Sequence, residues 1–203
     1  RTIGSFAIER ELASGGMGVV LLGRHATLER RAVLKRLRPE LSASDELVER
    51  FAREARAAAN VHHENVVAVY DWIAWRGEHY IAQEYVDGVD LRTALEHVGN
   101  FPWRVAAQIA LEIVRGLEAI HALGEYHADV HSQNILIQPR GVRFELKLVD
   151  FYDWGRPAGY KQKQDICDAV AVFHECLGGR PHYSRQPEPV KYICAGMQRS
   201  IIR

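Results

Sequence analysis

Two segments in the second half of the chain carry oxygen-bearing side chains at a spacing that suits phosphate chemistry. The run 127–134 reads His-Ala-Asp-Val-His-Ser-Gln-Asn, so Asp129 and Asn134 share one loop, and Asp150 follows an apolar strand. A carboxylate could face a substrate hydroxyl while an amide oxygen and a second carboxylate bind Mg²⁺, which prefers hard oxygen ligands. Each residue alone could instead form a turn or cap a helix.

The first third of the chain supplies candidate phosphate contacts. A turn at 13–18 contains Gly15, Gly16 and Gly18. Glycines let the backbone approach phosphates closely, although many hairpins need them only for positive φ. Lys35 ends an apolar strand, and Glu54 lies on the apolar stripe of a helix, three residues after Phe51. A carboxylate on that stripe needs a partner, and an ion pair with Lys35 would aim the ammonium at nucleotide phosphates.

The elements that must position these residues follow from the apolar periodicity. Short apolar runs predict strands at 6–8, 19–22, 32–34, 66–69 and 80–82, then a hairpin at 134–149. Helical spacing predicts helices near 45–58, 102–124 and 165–177, the first capped by Ser42 or Ser44. This order predicts an α+β fold with an N-terminal domain at 1–86 and a C-terminal domain at 87–203.

The composition excludes several classes of protein. The 203 residues carry 26 Lys+Arg and 26 Asp+Glu, with 47% hydrophobic residues. These values exclude a disordered chain, and zero net charge gives no reason to expect nucleic acid. No run approaches the roughly 18 apolar residues of a membrane span. Three cysteines without a C-x-x-C pair predict reduced thiols and a cytoplasmic location, and the start at Arg1 predicts an excised piece of a longer chain.

Five elements match, in order, the protein-kinase signature set: a glycine loop, an A-x-x-K strand, a helix Glu, H-x-D-x-x-x-x-N and D-F. The runs 11–20, 51–56 and 84–91 are especially similar to bacterial serine/threonine protein kinases. From about Gly4 to Pro181 the chain resembles the protein-kinase superfamily. The resemblance implies a bilobal fold, with an N-terminal antiparallel sheet plus one helix and a mostly helical, shortened C-terminal lobe. It also implies ATP in the cleft and Mg²⁺ as the metal.

The resemblance gives each matching residue a role. Asp129 would be the catalytic base, assisted by Lys35 and Asn134, and Asn134 and Asp150 would ligate Mg²⁺. Asp165 would brace the catalytic loop from behind. The nucleotide-binding residues would be Gly15, Gly16, Gly18, Val20, Ala32, Lys35, Glu54, Gln83, Glu84, Val86, Asp90 and Leu136. Within that set Gln83 would be the gatekeeper, the backbone at Glu84 and Val86 would hold adenine, and Asp90 would contact ribose.

Departures from the family pattern leave the acceptor open. Ala128 replaces the Arg of H-R-D, Tyr152 stands where D-F-G has its Gly, and there is no A-P-E motif. His131 replaces the catalytic-loop Lys, so that His-x-Asp-x-His-x-x-Asn also resembles aminoglycoside and choline phosphotransferases. We therefore expect a serine/threonine protein kinase acting on a protein hydroxyl. The alternatives are a small-molecule hydroxyl kinase and a pseudokinase that binds a regulatory protein partner.

Overall fold

The computed structural model describes residues 1–15, 18–37, 45–141, 143–150, 162–183 and 185–191. The chain divides into two compact units, Arg1–His62 with Val67–Val86 and His63–Val66 with Asp87–Arg203. The short segment His63–Val66, which the sequence analysis gives to the N-terminal domain, thus groups with the second unit. No helix in the described ranges is long and apolar enough to cross a membrane.

The first unit is a six-stranded antiparallel sheet with one helix. Its strands are β1 (Thr2–Ile3), β2 (Phe6–Gly15), β3 (Gly18–His25), β4 (Arg31–Arg36), β5 (Val69–Trp75) and β6 (Glu78–Glu84), in the order β1-β2-β3-β4-β6-β5. Alternate side chains point to one face and form a core that includes Phe6, Leu34 and Tyr80. The short apolar runs at 6–8, 19–22, 32–34 and 80–82 correctly indicated β2, β3, β4 and β6.

One predicted strand is misplaced. Of the run 66–69 only Val69 belongs to β5, whereas Val66 forms an isolated parallel bridge with Leu148. Val66 and Val67 are both buried. The run is therefore apolar because it fills the interior, and burial alone cannot distinguish a strand from a buried connection.

Helix α1 spans Asp45–Ala59 and packs near β5. Ala52, Ala55 and Ala58 are buried at helical spacing. The proposed caps Ser42 and Ser44 lie outside the described residues, as do the side chains of Phe51 and Glu54.

The second unit contains most of the helices and a small sheet. Its elements are β7 (Val89–Asp90), α2 (Leu91–Val98), α3 (Trp103–His121), a 3₁₀ turn (Ser132–Asn134), β8 (Ile135–Arg140), β9 (Arg143–Leu148), α4 (Gln162–Cys176) and α5 (Arg180–Tyr183). The core stripe of α3 is Ile109, Ile113, Leu117 and Ile120. Helices α3 and α4 pack together, and β7-β8-β9 form an antiparallel sheet.

The helix α2 was not predicted from the sequence. Leu91, Ala94, Leu95 and Val98 follow the i, i+3, i+4, i+7 spacing of an apolar helix stripe, although only Leu91 and Leu95 are buried. Because this stripe spans only eight residues, the sequence analysis missed it. The other predicted helices are present, although α4 begins at Gln162 rather than at Asp165.

Candidate functional site

Asp129 and Asn134 are joined by hydrogen bonds within one loop. The Asn134 side chain is buried, and its Nδ2 donates to the Asp129 backbone oxygen at 3.0 Å and to Asp129 Oδ2 at 2.9 Å. Both amide hydrogens of Asn134 are thus used on Asp129, which leaves Asn134 Oδ1 as the atom able to face a cation. The two residues that the spacing singled out are brought together.

Asp165 holds the backbone that leads into Asp129. Its carboxylate is fully buried and accepts from the His127 N–H at 2.9 Å and the Ala128 N–H at 2.8 Å. His121 Nε2 lies 2.7 Å from Asp165 Oδ2. Ala128 has a φ of 60°, a left-handed conformation that is uncommon for a residue with a Cβ. The hydrogen bond from its N–H to Asp165 helps to maintain that conformation.

His127 is a neutral, fully buried imidazole behind the loop. Burial lowers its pKa to about 4, although the carboxylates of Asp165, Asp150 and Asp129 act in the opposite direction. Its Nδ1 accepts the Asp129 N–H at 3.3 Å. The same imidazole is therefore close enough to respond electrostatically to all three carboxylates.

Asp150 follows the end of β9 and is linked to Asn134 through the backbone. The Val149 N–H donates to the Asn134 carbonyl at 3.0 Å, and Asp150 has a φ of 65°. The described residues contain no group of three or more His, Cys, Asp or Glu that could hold a metal ion. Asn134 and Asp150 offer two hard oxygen donors, a set that fits Mg²⁺ shared with phosphate oxygens and water.

Residues distant in sequence also hold the loop at 127–134 in place. Arg92 Nη1 lies 2.8 Å from Glu175 Oε1, and the Ser132 hydroxyl donates to the same oxygen at 3.3 Å. Ser132 is buried in the 3₁₀ turn beside Asn134. The sequence analysis missed this network, since α2, the loop and α4 contribute one residue each and no local pattern connects them.

In the first unit the glycine-rich turn joins β2 to β3. Gly15 pairs with Gly18, and Val20 pairs with Lys35 across β3 and β4. Gly18 has a φ of 115°, and a Cβ there would lie 2.7 Å from the Arg36 carbonyl oxygen. Glycine is thus required at this position by the backbone alone. Gly16 lies outside the described residues.

Lys35 is half-buried on β4, opposite Val20 and Ile81. Its predicted partner is the Glu54 carboxylate, which is not among the described side chains. The ion pair between Lys35 and Glu54 therefore stays a prediction.

The residues expected around adenine lie on β4, on β6 and after β6. Ala32 and Gln83 are buried, and Ala32 pairs with Glu84 across the two strands. The Glu84 N–H donates to the Ala68 carbonyl at 2.8 Å, while Glu84 Oε2 accepts the Ala68 N–H at 3.2 Å. Val86 is half-buried at the end of the first unit. Their contacts with a nucleotide stay predictions.

Asp90, expected at the ribose, has a structural role in the second unit. It caps α2, with Oδ1 accepting the Thr93 N–H at 2.9 Å and Oδ2 accepting the Thr93 hydroxyl at 2.7 Å. Leu136 lies opposite Asp90 in the β7–β8 pair. Asp90 directly precedes the apolar residues Leu91 and Leu95, and an Asp in that position is an N-cap signal that could have predicted α2.

Comparison with known proteins identifies what this arrangement resembles. Residues 6–187 match the protein kinase domain family. A probable serine/threonine-protein kinase of Clostridium perfringens is 37% identical over 180 residues, which cover 89% of this chain and 24% of that protein. The serine/threonine-protein kinase PknF of Mycobacterium tuberculosis is 38% identical over 153 residues, or 74% of this chain and 32% of PknF.

The solved structures agree with the fold. The PknI kinase domain of Mycobacterium tuberculosis matches with a TM-score of 0.80 at 24% identity, covering 98% of this chain and 88% of that one. The chain spans only about a quarter to a third of the length of the two curated relatives. The family that the five motifs indicated is confirmed, and so is the bilobal α+β fold. Since the family match covers most of its length, the chain belongs to the protein kinase family.

Proposed function

We propose that this chain is the catalytic domain of a serine/threonine protein kinase that uses ATP and Mg²⁺ and transfers the γ-phosphoryl group to a hydroxyl. One observation carries the proposal. Asp129 and Asn134 are hydrogen-bonded in a loop held by the buried Asp165, and the Asn134 carbonyl accepts the N–H of Val149, the residue before Asp150. This arrangement supports a base at Asp129 and Mg²⁺ ligands at Asn134 and Asp150.

In this mechanism the protein mainly positions the reactants. Asp129 orients the acceptor hydroxyl and takes its proton, with Oδ2 held by Asn134. Asn134 Oδ1 and the Asp150 carboxylate would hold Mg²⁺, which supplies charge neutralisation on the phosphates when bound. His127 stays neutral behind the loop because its pKa is about 4, so it adds no positive charge that would compete with the metal.

The first unit would hold the nucleotide. Gly15, Gly16 and Gly18 would cover the phosphates, and Lys35, oriented by Glu54, would contact them. The remaining nucleotide contacts would come from Val20, Ala32, Gln83, Glu84 and Val86 of this unit and from Asp90 and Leu136 of the second unit. A requirement for ATP favours a cytoplasmic location for the domain.

We propose a protein as the acceptor, because the curated relatives are serine/threonine-protein kinases. His131 in place of the catalytic-loop Lys favours a second candidate, a kinase for small-molecule hydroxyls. Incubation with radiolabelled ATP separates the two. Label on protein, including the chain itself, supports the first, whereas label only on added hydroxyl compounds supports the second.

The proposal is tested by Asp129→Asn. We expect this variant to lose phosphoryl transfer while keeping ATP binding, because the carboxylate acts on the acceptor rather than on the nucleotide. ATP binding is read from thermal stabilisation in the presence of Mg²⁺, where a ligand at 100 times its Kd adds about 2.7 kcal/mol. Glu145→Gln, an exposed carboxylate change on β9, is the control and should keep full activity. Undiminished transfer by Asp129→Asn would refute the assignment.

A further inference from the structure

His131 caps the short turn that contains Asn134. Its backbone is extended, and its Nδ1 accepts a hydrogen bond from the Gln133 N–H at 3.3 Å. A neutral imidazole that accepts at Nδ1 carries its hydrogen on Nε2. The cap therefore selects the tautomer in which Nε2 is a donor.

This donor lies beside the carboxylate of Asp129. His131 Nε2 is 3.4 Å from Asp129 Oδ2, the oxygen that also accepts from Asn134 Nδ2 at 2.9 Å. A formed N–H···O hydrogen bond spans about 2.7–3.2 Å, so at 3.4 Å the histidine contact is an electrostatic approach. Two donors nevertheless face one oxygen, and no side chain among the described residues forms a hydrogen bond or ion pair with Asp129 Oδ1.

We propose that His131 is a positioning residue for Asp129. Together with Asn134 it holds Oδ2 and turns Oδ1 toward the acceptor hydroxyl. The Asp129 side chain is 57% exposed, so the carboxylate is accessible to a substrate. The kinetic consequence rests on the proposed function, because an oriented base matters only if a hydroxyl is phosphorylated.

The identity of the residue matters because one side chain makes two different contacts. Histidine accepts from the Gln133 N–H with one ring nitrogen and presents a donor to Asp129 with the other. A lysine has no acceptor atom and could not cap the turn. Histidine in place of the family's lysine therefore caps the turn 132–134. It also presents an oriented N–H donor to Asp129 where the family has an ammonium group.

Two substitutions of His131 test its contact with Gln133 and its contact with Asp129 independently. His131→Asn keeps an acceptor at the capping position but has no group that reaches Asp129, whereas His131→Gln has a donor of suitable length but is a poor cap. We expect His131→Asn to keep its thermal midpoint and lose about tenfold in kcat, because the donor that faces the Asp129 carboxylate is removed. His131→Gln should be slightly less stable and keep most of kcat.

The kinetic measurement is autophosphorylation of the chain with radiolabelled ATP. The KM for ATP should not change in either variant, because His131 acts on the acceptor side of the reaction. Equal kcat in His131→Asn and His131→Gln would overturn the proposal, as would an effect on KM alone.

A second measurement does not depend on turnover. Nitrogen NMR of the isotopically labelled His131 ring, at about pH 8 where imidazoles are ordinarily neutral, reports which nitrogen carries the hydrogen. The hydrogen on Nε2 supports the inference, and the hydrogen on Nδ1 refutes it. If the wild-type chain labels no acceptor, the proposed function fails while the NMR result still decides how His131 is oriented.

Discussion

The buried carboxylate of Asp165 offers a sharp test of how the catalytic loop is held. Three of its contacts bind the loop and α3, with the Ala128 N–H on Oδ1 and both the His127 N–H and His121 Nε2 on Oδ2. In Asp165→Asn one of these two oxygens becomes an NH₂ group. The amide oxygen will face the two donors on the Oδ2 side, so that the NH₂ group faces the Ala128 N–H.

The expected loss in the free energy of unfolding follows from these hydrogen bonds. The variant loses one hydrogen bond to a buried charged group, about 1.5–3 kcal/mol, and leaves the Ala128 N–H unsatisfied. Removing a buried charge offsets part of this cost, because the carboxylate no longer has to be desolvated. We expect Asp165→Asn to lower the free energy of unfolding by about 2 kcal/mol. Asp165→Ala should lower it by about 4 kcal/mol, since all three donors then lack a partner.

Urea denaturation measures these changes in the free energy of unfolding. They appear as shifts in the urea concentration at the midpoint, with no change in the slope m. Asp168→Asn is the matched control on the same helix, because Asp168 is only partly buried and its described side-chain hydrogen bond is to Gln164 at 2.9 Å. It should change the unfolding free energy by less than about 0.5 kcal/mol. Equal destabilisation by Asp165→Asn and Asp168→Asn would show that Asp165 does not hold the loop.

Two further predictions concern the buried histidine and the glycine turn. The pKa of His127 is about 4 in the folded chain against 6.5 unfolded, so the unfolded chain binds the proton first as the pH falls. The free energy of unfolding should therefore decrease by roughly 3 kcal/mol between pH 6.5 and pH 4, and His127→Asn should remove that part of the acid sensitivity in urea titrations at several pH values. A variant with the same pH dependence as the wild type would contradict the buried neutral imidazole. Gly18→Ala should destabilise the chain by about 3 kcal/mol and Gly77→Ala by about 1 kcal/mol, because both have positive φ but only the first meets a backbone oxygen. Equal thermal midpoints for the two variants would exclude the clash with Arg36.

Much of the local structure could be predicted from the sequence because it depends on neighbours along the chain. Strands β2, β3, β4 and β6 follow from short apolar runs, and α3 follows from its stripe of isoleucines and leucine. Asp129 and Asn134 meet because only four residues separate them, so their spacing alone indicated a shared site. The sequence analysis missed α2, whose apolar stripe spans only eight residues. It also misplaced Val66, which is apolar because it is buried and not because it lies in β5.

The sequence by itself determined the family motifs, the α+β order of elements and the spacing of the candidate base and metal ligands. Only the tertiary structure decided what holds them. Asp165 reaches His127 and Ala128 from α4, Glu175 joins Arg92 to Ser132, and burial lowers the pKa of His127 to about 4. These effects depend on desolvation and on hydrogen bonds between segments far apart in the chain, which no local periodicity contains.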